Sequence, residues 1–404
     1  MSKKQKWSEK KTSLGNAIII GSVFAVVSLI FGLVIGELSA GGSIGSTISQ
    51  IFGGSGSGLK INWSELDEVY SKLETNYDGE ISKRDVIEGA KKGLTAALGD
   101  KYTVYMDTET AKEFDNSLHG NVGSGVGIEM GLRDGYVRVL RTLPDNPARA
   151  AGVLAGDIIY KVDGEEVYTL SSDEISTKIR GEAGTEVTLT VVRNGEELSF
   201  TLKREKINNV SAYLDYDGQT AIITVTRFDE DTGTTVQKFA KEFESKGINK
   251  VILDLRDNGG GYVKAAGDLL SLWLDGDVYL IQKSKNQKQD IPSYTASSRA
   301  ILKDMKTIVL VNGSTASASE ITAGALQDYG KATILGEKTY GKGVVQSLYT
   351  LSNSTLIKIT TASWYTPKER TINGEGITPD QEVTRSYDDI NMMRDPQMDA
   401  AKAL

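Results

Sequence analysis

Cysteine is absent from this chain of 404 residues, and histidine occurs once, at His119. Without cysteine there is no disulfide, no thiolate metal site and no cysteine nucleophile. With one histidine, a Ser-His-Asp triad or a multi-histidine metal site would have to run through His119. That residue stands in a glycine-rich segment, far along the chain from any candidate nucleophile, and reads as a loop or surface residue. Nucleotide-binding signatures are missing too: no GxxxxGK[ST] is present and no GxGxxG opens a βαβ unit. Basic charge is scarce outside the N-terminus. The net charge is −8. Residues 1–36 hold five lysines and one glutamate, so the rest of the chain carries 41 basic against 53 acidic side chains. An acidic body argues against a nucleic-acid partner.

What is present centres on residues 312–346, NGSTASASEITAGALQDYGKATILGEKTYGKGVVQ. A buried-type strand, TIVLV at 307–311, leads into small residues and then into an apolar helix-forming run at 320–326. A turn at Asp328-Tyr329-Gly330 follows, then a short strand at 332–335 and a Gly341-Lys342-Gly343 loop. A hydroxyl at such a strand-to-helix turn meets the free N–H groups and dipole of a helix N-terminus, which favour developing negative charge. Ser317 is therefore read as a nucleophile and Lys342 as its base. Taken singly, the Ser/Ala run would be a helix cap and the Gly-Lys-Gly a surface turn. Lysine serves as a base only when neutral, so the site must draw its pKa down from about 10.4, and burial does this. Tyr340, Val344 and Val345 supply apolar neighbours. Asp328 reads as a helix-end residue.

The length allows several domains. The expected organisation is a basic cytoplasmic tail at 1–16, an apolar run at 17–36, a Gly/Ser-rich linker at 37–58, a helical region at 59–117, a β-rich module at 118–205, a catalytic body at 206–385 and a C-terminal segment at 386–404. Residues 17–36 are uncharged and rise ~30 Å as a helix, enough to span a bilayer. Lysines precede the run and Glu37 follows, which places the N-terminus in the cytoplasm and the body outside. A cleaved signal peptide would have a shorter apolar region and a better cleavage site than Leu38-Ser39-Ala40. Leu66, Val69, Tyr70 and Leu73 recur at helical spacing, and Ser82 with Asp85 opens a second helix. Both are too short to stand alone and need the body or a second copy of the chain.

In the β-rich module, Gly125-Val126-Gly127-Ile128 runs from a glycine loop into a strand, Asn146 to Gly152 gives a short helix and turn, and Asn194-Gly195 joins two strands as a hairpin. The run PARAAGVLAGDIIYKVDGEEV resembles a PDZ domain. That resemblance implies that a peptide C-terminus adds to a sheet edge, with its carboxylate at Gly125, Val126, Gly127 and Ile128. In the body, strand–helix–strand at 221–255 implies a parallel crossover. It ends in DLRDNGGG at 254–261, where glycines bring backbone N–H groups close to a ligand.

With DLRDNGGG, SASASEITAGALQD and EKTYGKGVVQ in this order after a PDZ module, the chain resembles the carboxy-terminal processing peptidases, or tail-specific proteases. The resemblance implies an α/β multidomain protein, with a crotonase/ClpP-like protease core, an inserted mostly-β PDZ domain and a helical N-terminal region, to which the apolar run at 17–36 adds one transmembrane helix. It implies a membrane-anchored, extracytoplasmic serine endopeptidase acting on proteins with accessible C-termini, with no cofactor or metal. Carried over by motif, Ser317 is the nucleophile, Lys342 the base and Gln346 its orienter. Ala318 with Gly259 or Gly260 supplies the oxyanion N–H groups. Arg180, at a helix end before a glycine, is the candidate regulatory contact from module to body. A homodimer or larger homo-oligomer is left open. NGGG stands where many members have NPGG, which alters loop stiffness only. The sequence closes at Leu404 without a cell-wall-binding extension, so wall targeting by that route is not expected. A PDZ scaffold with an inactive protease fold is the alternative, and a crotonase-like acyl-transfer enzyme a third reading.

Overall fold

A computed structural model describes residues 62–120, 123–133, 135–207, 209–284, 293–392 and 394–404. The apolar run at 17–36 and the linker after it lie outside the described residues. Among the described residues no helix is long and apolar enough to cross a membrane.

The chain divides into two units, Met1–Ile81 and Ser82–Leu404. The described part of the first holds one helix, Ser64–Asn76. Its apolar stripe stands open to solvent, with Leu66 49%, Val69 57% and Leu73 44% exposed.

In the second unit, helix Lys83–Ala96 starts at Ser82, whose hydroxyl accepts the N–H of Asp85. The catalytic body is built on a six-stranded sheet ordered Ala212–Asp217, Thr220–Val225, Lys250–Asp254, Lys306–Val311, Thr333–Gly336 and Gln381–Glu382. The first pair is antiparallel and the others are parallel. Parallel strands are covered on both faces and so read as unbroken apolar runs. Val251 and Leu253 pack under the helices Thr232–Ala240, Val263–Leu270 and Ala318–Asp328. Ile252, Ile308, Leu310 and Leu335 face the other way, onto Ala401 of the C-terminal helix Pro396–Ala403. A second sheet carries Val278–Lys283, Val344–Thr350 and Leu356–Tyr365.

The PDZ module is a sheet of Ile128–Arg133, Tyr136–Thr142, Ile158–Val162, Glu186–Arg193 and Glu196–Lys203. Asn194 and Gly195 both take positive φ, 52° and 84°, as a two-residue hairpin with the strands' own twist requires. Helix Ser172–Ile179 begins with a capping box between Ser171 and Glu174 and packs on this sheet. Ser124–Gly125 pairs with Glu205–Lys206, so the chain enters and leaves the module at one point.

Candidate active site

Three neighbouring parallel strands, Lys250–Asp254, Lys306–Val311 and Thr333–Gly336, end on the same edge of the sheet. The loops that follow carry Gly259, Ser317 and Lys342. Ligands of open α/β sheets bind outside the carboxyl ends of the strands for this topological reason. All three residues line one cavity of ≈ 400 Å³, together with Gly260, Gln346 and Lys358.

The small residues before the helix are individually employed. Thr315 Oγ1 donates to the Leu255 carbonyl at 2.9 Å, Ala316 N–H to the Asn258 carbonyl at 3.0 Å, and Ser319 Oγ to that same carbonyl at 3.1 Å. Asn258 is fully buried, and its side-chain nitrogen reaches the Val225 carbonyl at 2.7 Å. These bonds lock the Ser317 turn onto the glycine loop. Ser317 itself sits at φ 57°, ψ −117°. Such a conformation costs a serine roughly 1–3 kcal/mol and persists only where the surroundings impose it.

The glycine loop separates two residues that the motif could not. Gly260 N–H donates to Asn258 Oδ1 at 2.8 Å, and a Cβ on Gly260 would stand 2.8 Å from Ser317 Cβ. Gly260 therefore lets the loop touch the nucleophile turn, and its N–H is occupied. Among the described residues the N–H groups of Gly259 and Ala318 have no backbone or side-chain acceptor.

Lys342 is half-buried. Burial pushes its amine below the ordinary lysine value, Lys358 adds to that through its like charge, and Glu320 opposes it. The Nζ lies 5.4 Å from the centre of the Tyr102 ring. Tyr340, expected as the apolar neighbour, is 50% exposed and bonds Lys101 instead. The two glycines flanking Lys342 make room for a neighbouring turn. A Cβ on Gly341 would lie 2.9 Å from Gly376 N, and one on Gly343 2.5 Å from Asn373 N. They admit the 373–376 turn, against which the lysine loop is braced. Gln346 stands at a register shift between strands Val344–Thr350 and Leu356–Tyr365, and its amide nitrogen donates to the Tyr102 carbonyl.

Glu320 escaped the sequence reading, which saw only the start of a helix. It is 0% exposed. Its Oε2 accepts the N–H of Ser317 at 2.9 Å and of Lys342 at 2.9 Å, while Oε1 accepts Gly341 N–H at 2.7 Å and Thr339 Oγ1 at 2.5 Å. One carboxylate joins the backbone of Ser317 to the backbone of Lys342. The available signal was Ser-x-x-Glu, a capping-box spacing whose glutamate lies in an otherwise small and apolar run.

His119 caps helix Thr108–Leu118, its Nδ1 against the Asp115 carbonyl at 2.9 Å. Asp328 is held by Arg370 and by Lys368 N–H, a helix-end role. Among the described residues no cluster of three His, Asp or Glu could hold a metal ion.

Gly125, Val126, Gly127 and Ile128 line a second cavity, ≈ 380 Å³, between strand Ile128–Arg133 and helix Ser172–Ile179. The Val126 and Gly127 carbonyls are bonded inward, to the N–H groups of Ala148 and Leu143. A Cβ on Gly127 would fall 2.2 Å from Asn146 Cβ. Arg180 ends the helix, its N–H on the Ser176 carbonyl, and its exposed side chain lies at the groove. Among the described residues it makes no ion pair to the body. Ser117, Thr226 and Arg227 line both cavities, so the groove and the cavity that holds Ser317 adjoin.

Comparison with known proteins agrees with this architecture. The profile of Peptidase family S41 matches residues 219–383, that of the PDZ domain 124–203, and that of the activating protease CtpB N-terminal domain 51–110. The chain is 31% identical over 373 residues to the "Probable CtpA-like serine protease" of Staphylococcus saprophyticus, covering 92% of this chain and 75% of that one. It is 32% identical to the protein of that name from Staphylococcus aureus, over 93% and 73%. Among solved structures, the photosystem II D1 C-terminal processing protease superposes with a TM-score of 0.56 at 27% identity, over 80% of this chain and 87% of that one. An S41-type structure from Bacteroides fragilis shares the fold at TM-score 0.57 and 14% identity, over 85% and 97%. The chain is a member of peptidase family S41, a C-terminal processing serine protease that carries a PDZ domain.

Proposed function

We propose that the chain is a membrane-anchored, extracytoplasmic endopeptidase that takes a protein's C-terminal tail into the PDZ groove and cuts it through Ser317 and Lys342. The observation that carries this reading is the convergence of Gly259, Ser317 and Lys342 in one cavity from adjacent parallel strands. Ser317 Oγ attacks the scissile carbonyl while neutral Lys342 takes its proton. Ala318 and Gly259 N–H groups receive the oxyanion. Collapse expels the amine, which takes the proton from Lys342 and leaves an ester on Ser317. Water, deprotonated by Lys342, then hydrolyses the ester. Gln346, whose amide nitrogen is fixed by the Tyr102 carbonyl, is assigned to orient the Lys342 amine, which a neutral amide can do without adding a charge.

Two experiments test this. A fluorophosphonate should label Ser317 alone, and an unstructured substrate with a free apolar C-terminus should be cut at least ~10-fold faster than its amidated form, since the carboxylate is what backbone N–H groups of the groove would bind. Equal rates on both substrates would remove the tail from the reading. The anchor is tested separately. Protease added to intact spheroplasts should digest the body, and the purified protein should retain residues 17–36. A mature form lacking them would replace the anchor with a cleaved leader.

A further inference from the structure

The cavity that holds Ser317 and Lys342 carries charge of one sign. Among the described residues its charged lining is Arg227, Lys342 and Lys358, and no Asp or Glu lines it. In a chain of net charge −8 this is a local reversal. The three cations are not equivalent. Arg227 Nη2 is paired with Asp229 Oδ2 at 2.9 Å and also donates to the Asn209 carbonyl. Lys342 has to be neutral to serve as a base. Lys358 remains. It stands on strand Leu356–Tyr365, between Val104 of strand Val104–Met106 and Leu348 of strand Val344–Thr350. It is half-buried there, and lysines are seldom buried without a partner. Among the described residues its amine makes no hydrogen bond and no ion pair; it lies 5.2 Å from the centre of the Phe114 ring. An aromatic face attracts a cation without neutralising it, so the charge stays available to an anion. Burial draws the Lys358 pKa down, as expected of an amine that water reaches poorly. Phe114, Leu118, Val263 and Leu348 line the same cavity. Beside such walls an ion pair is worth more than at an open surface.

We propose that Lys358 is a specificity-determining residue that takes the carboxylate of an aspartate or glutamate carried by the substrate close to the scissile bond. The proposal rests on the catalytic reading of Ser317 given above and adds a substrate class to it. Lys358 and Ser317 share one cavity, so a chain whose carbonyl lies at Ser317 Oγ brings its neighbouring side chains between the same walls. An acidic side chain meets an amine that lacks a counter-charge. A neutral one leaves that amine as it was. A basic one adds a like charge beside Lys358, and repulsion of the wrong partner sharpens the choice.

The test uses the full chain and a set of unstructured peptides that share one free apolar C-terminus. They differ at a single residue, Glu, Gln or Lys, placed in turn at each position flanking the bond that is cut. The C-terminus is constant, so the comparison reads the side chain alone. Rates are taken as kcat/KM above the acid limb and compared as ratios within each enzyme, so a change in the Lys342 pKa cancels. At one position the wild type should cut the Glu peptide about 10-fold faster than the Gln peptide, as a partly shielded charge pair would give. The Lys peptide should be slower than either, and the preference should shrink as salt is raised. In Lys358→Met the Glu-to-Gln ratio should fall toward one, and Lys358→Gln gives the same reading should the methionine variant fail to fold. Lys358→Arg should keep the preference, and Lys358→Glu should turn it toward the Lys peptide. A wild type that cuts all three peptides alike at every position overturns the proposal, as does a Glu preference that survives in Lys358→Met. A wild type that cuts none of them and leaves Ser317 unlabelled by a fluorophosphonate fails differently: it removes the catalytic reading and this proposal with it.

Discussion

Lys342→Arg is expected to be inactive, with kcat down on the order of 10⁴-fold or more, in a protein that still folds and still binds tails. Arginine keeps its proton at every working pH, so a cation of similar reach cannot take the proton of Ser317. On this mechanism the wild-type rate should follow the neutral amine. The Lys342 pKa is lowered, first by burial and then by Lys358, so the acid limb of kcat/KM should lie below the range of a free lysine, with activity rising with pH through it. The stability sign can be worked out from the same shift. The folded pKa lies below the unfolded one, so between the two the unfolded chain binds more protons and stability rises with pH. Lys342→Met removes that burden. The dead variant should therefore melt no lower than the wild type near neutral pH, as thermal unfolding across pH would show. An active arginine variant, or a pH–rate profile without an acid limb, would make Lys342 a structural cation. Lys358→Met checks the electrostatic part. It removes a like charge from the same cavity, so the acid limb should move to higher pH, and more so at low salt. A limb that stays where it was leaves burial as the sole cause.

The parts legible in sequence were those whose signal is local. The Asn194-Gly195 hairpin, the Ser82 cap and the apolar runs around Val251 and Ile308 each fix their conformation through neighbouring residues, and the structure places them accordingly. Ser317 and Lys342 were singled out because a hydroxyl at a strand-to-helix turn and a lysine between glycines carry a recognisable chemistry in a few residues, and the structure brings both to one cavity. What stayed hidden depends on chain-distant partners. Tyr102, not Tyr340, lies against the Lys342 amine, and no spacing within 312–346 could say so. Gly259 and Gly260 were equivalent until Asn258 Oδ1 claimed one N–H. Arg133 reads as a charged strand end, yet its partners lie at 257 and 314. The glycines flanking Lys342 admit the 373–376 turn, a partner that no spacing within 312–346 discloses.

Glu320→Gln is expected to lower kcat by about 100-fold or more while changing the side chain's volume hardly at all. The argument is one of donors and acceptors. Both oxygens of Glu320 face donors: Ser317 and Lys342 N–H on one, Gly341 N–H and the Thr339 hydroxyl on the other. Glutamine keeps one acceptor and turns the other oxygen into a second donor. If that NH₂ replaces Oε2, it confronts the N–H groups of both Ser317 and Lys342; if it replaces Oε1, it confronts Gly341. Either way, buried donors lose their partner, at about 1–3 kcal/mol each, and the splice between nucleophile turn and base loop opens. Small displacements of reacting groups cost about 10²-fold in rate, which sets the expected size. The loss should fall on kcat and on fluorophosphonate labelling of Ser317, with tail affinity unchanged, and the melting temperature should drop by several degrees. The residual activity carries a second signature. Glu320 raises the Lys342 pKa, so removing its charge should shift the acid limb to lower pH, opposite to Lys358→Met. A folded Glu320→Gln enzyme with wild-type kcat would show that the carboxylate is only packing. A slow enzyme whose acid limb does not move would leave Glu320 a geometric splice without electrostatic influence on the base.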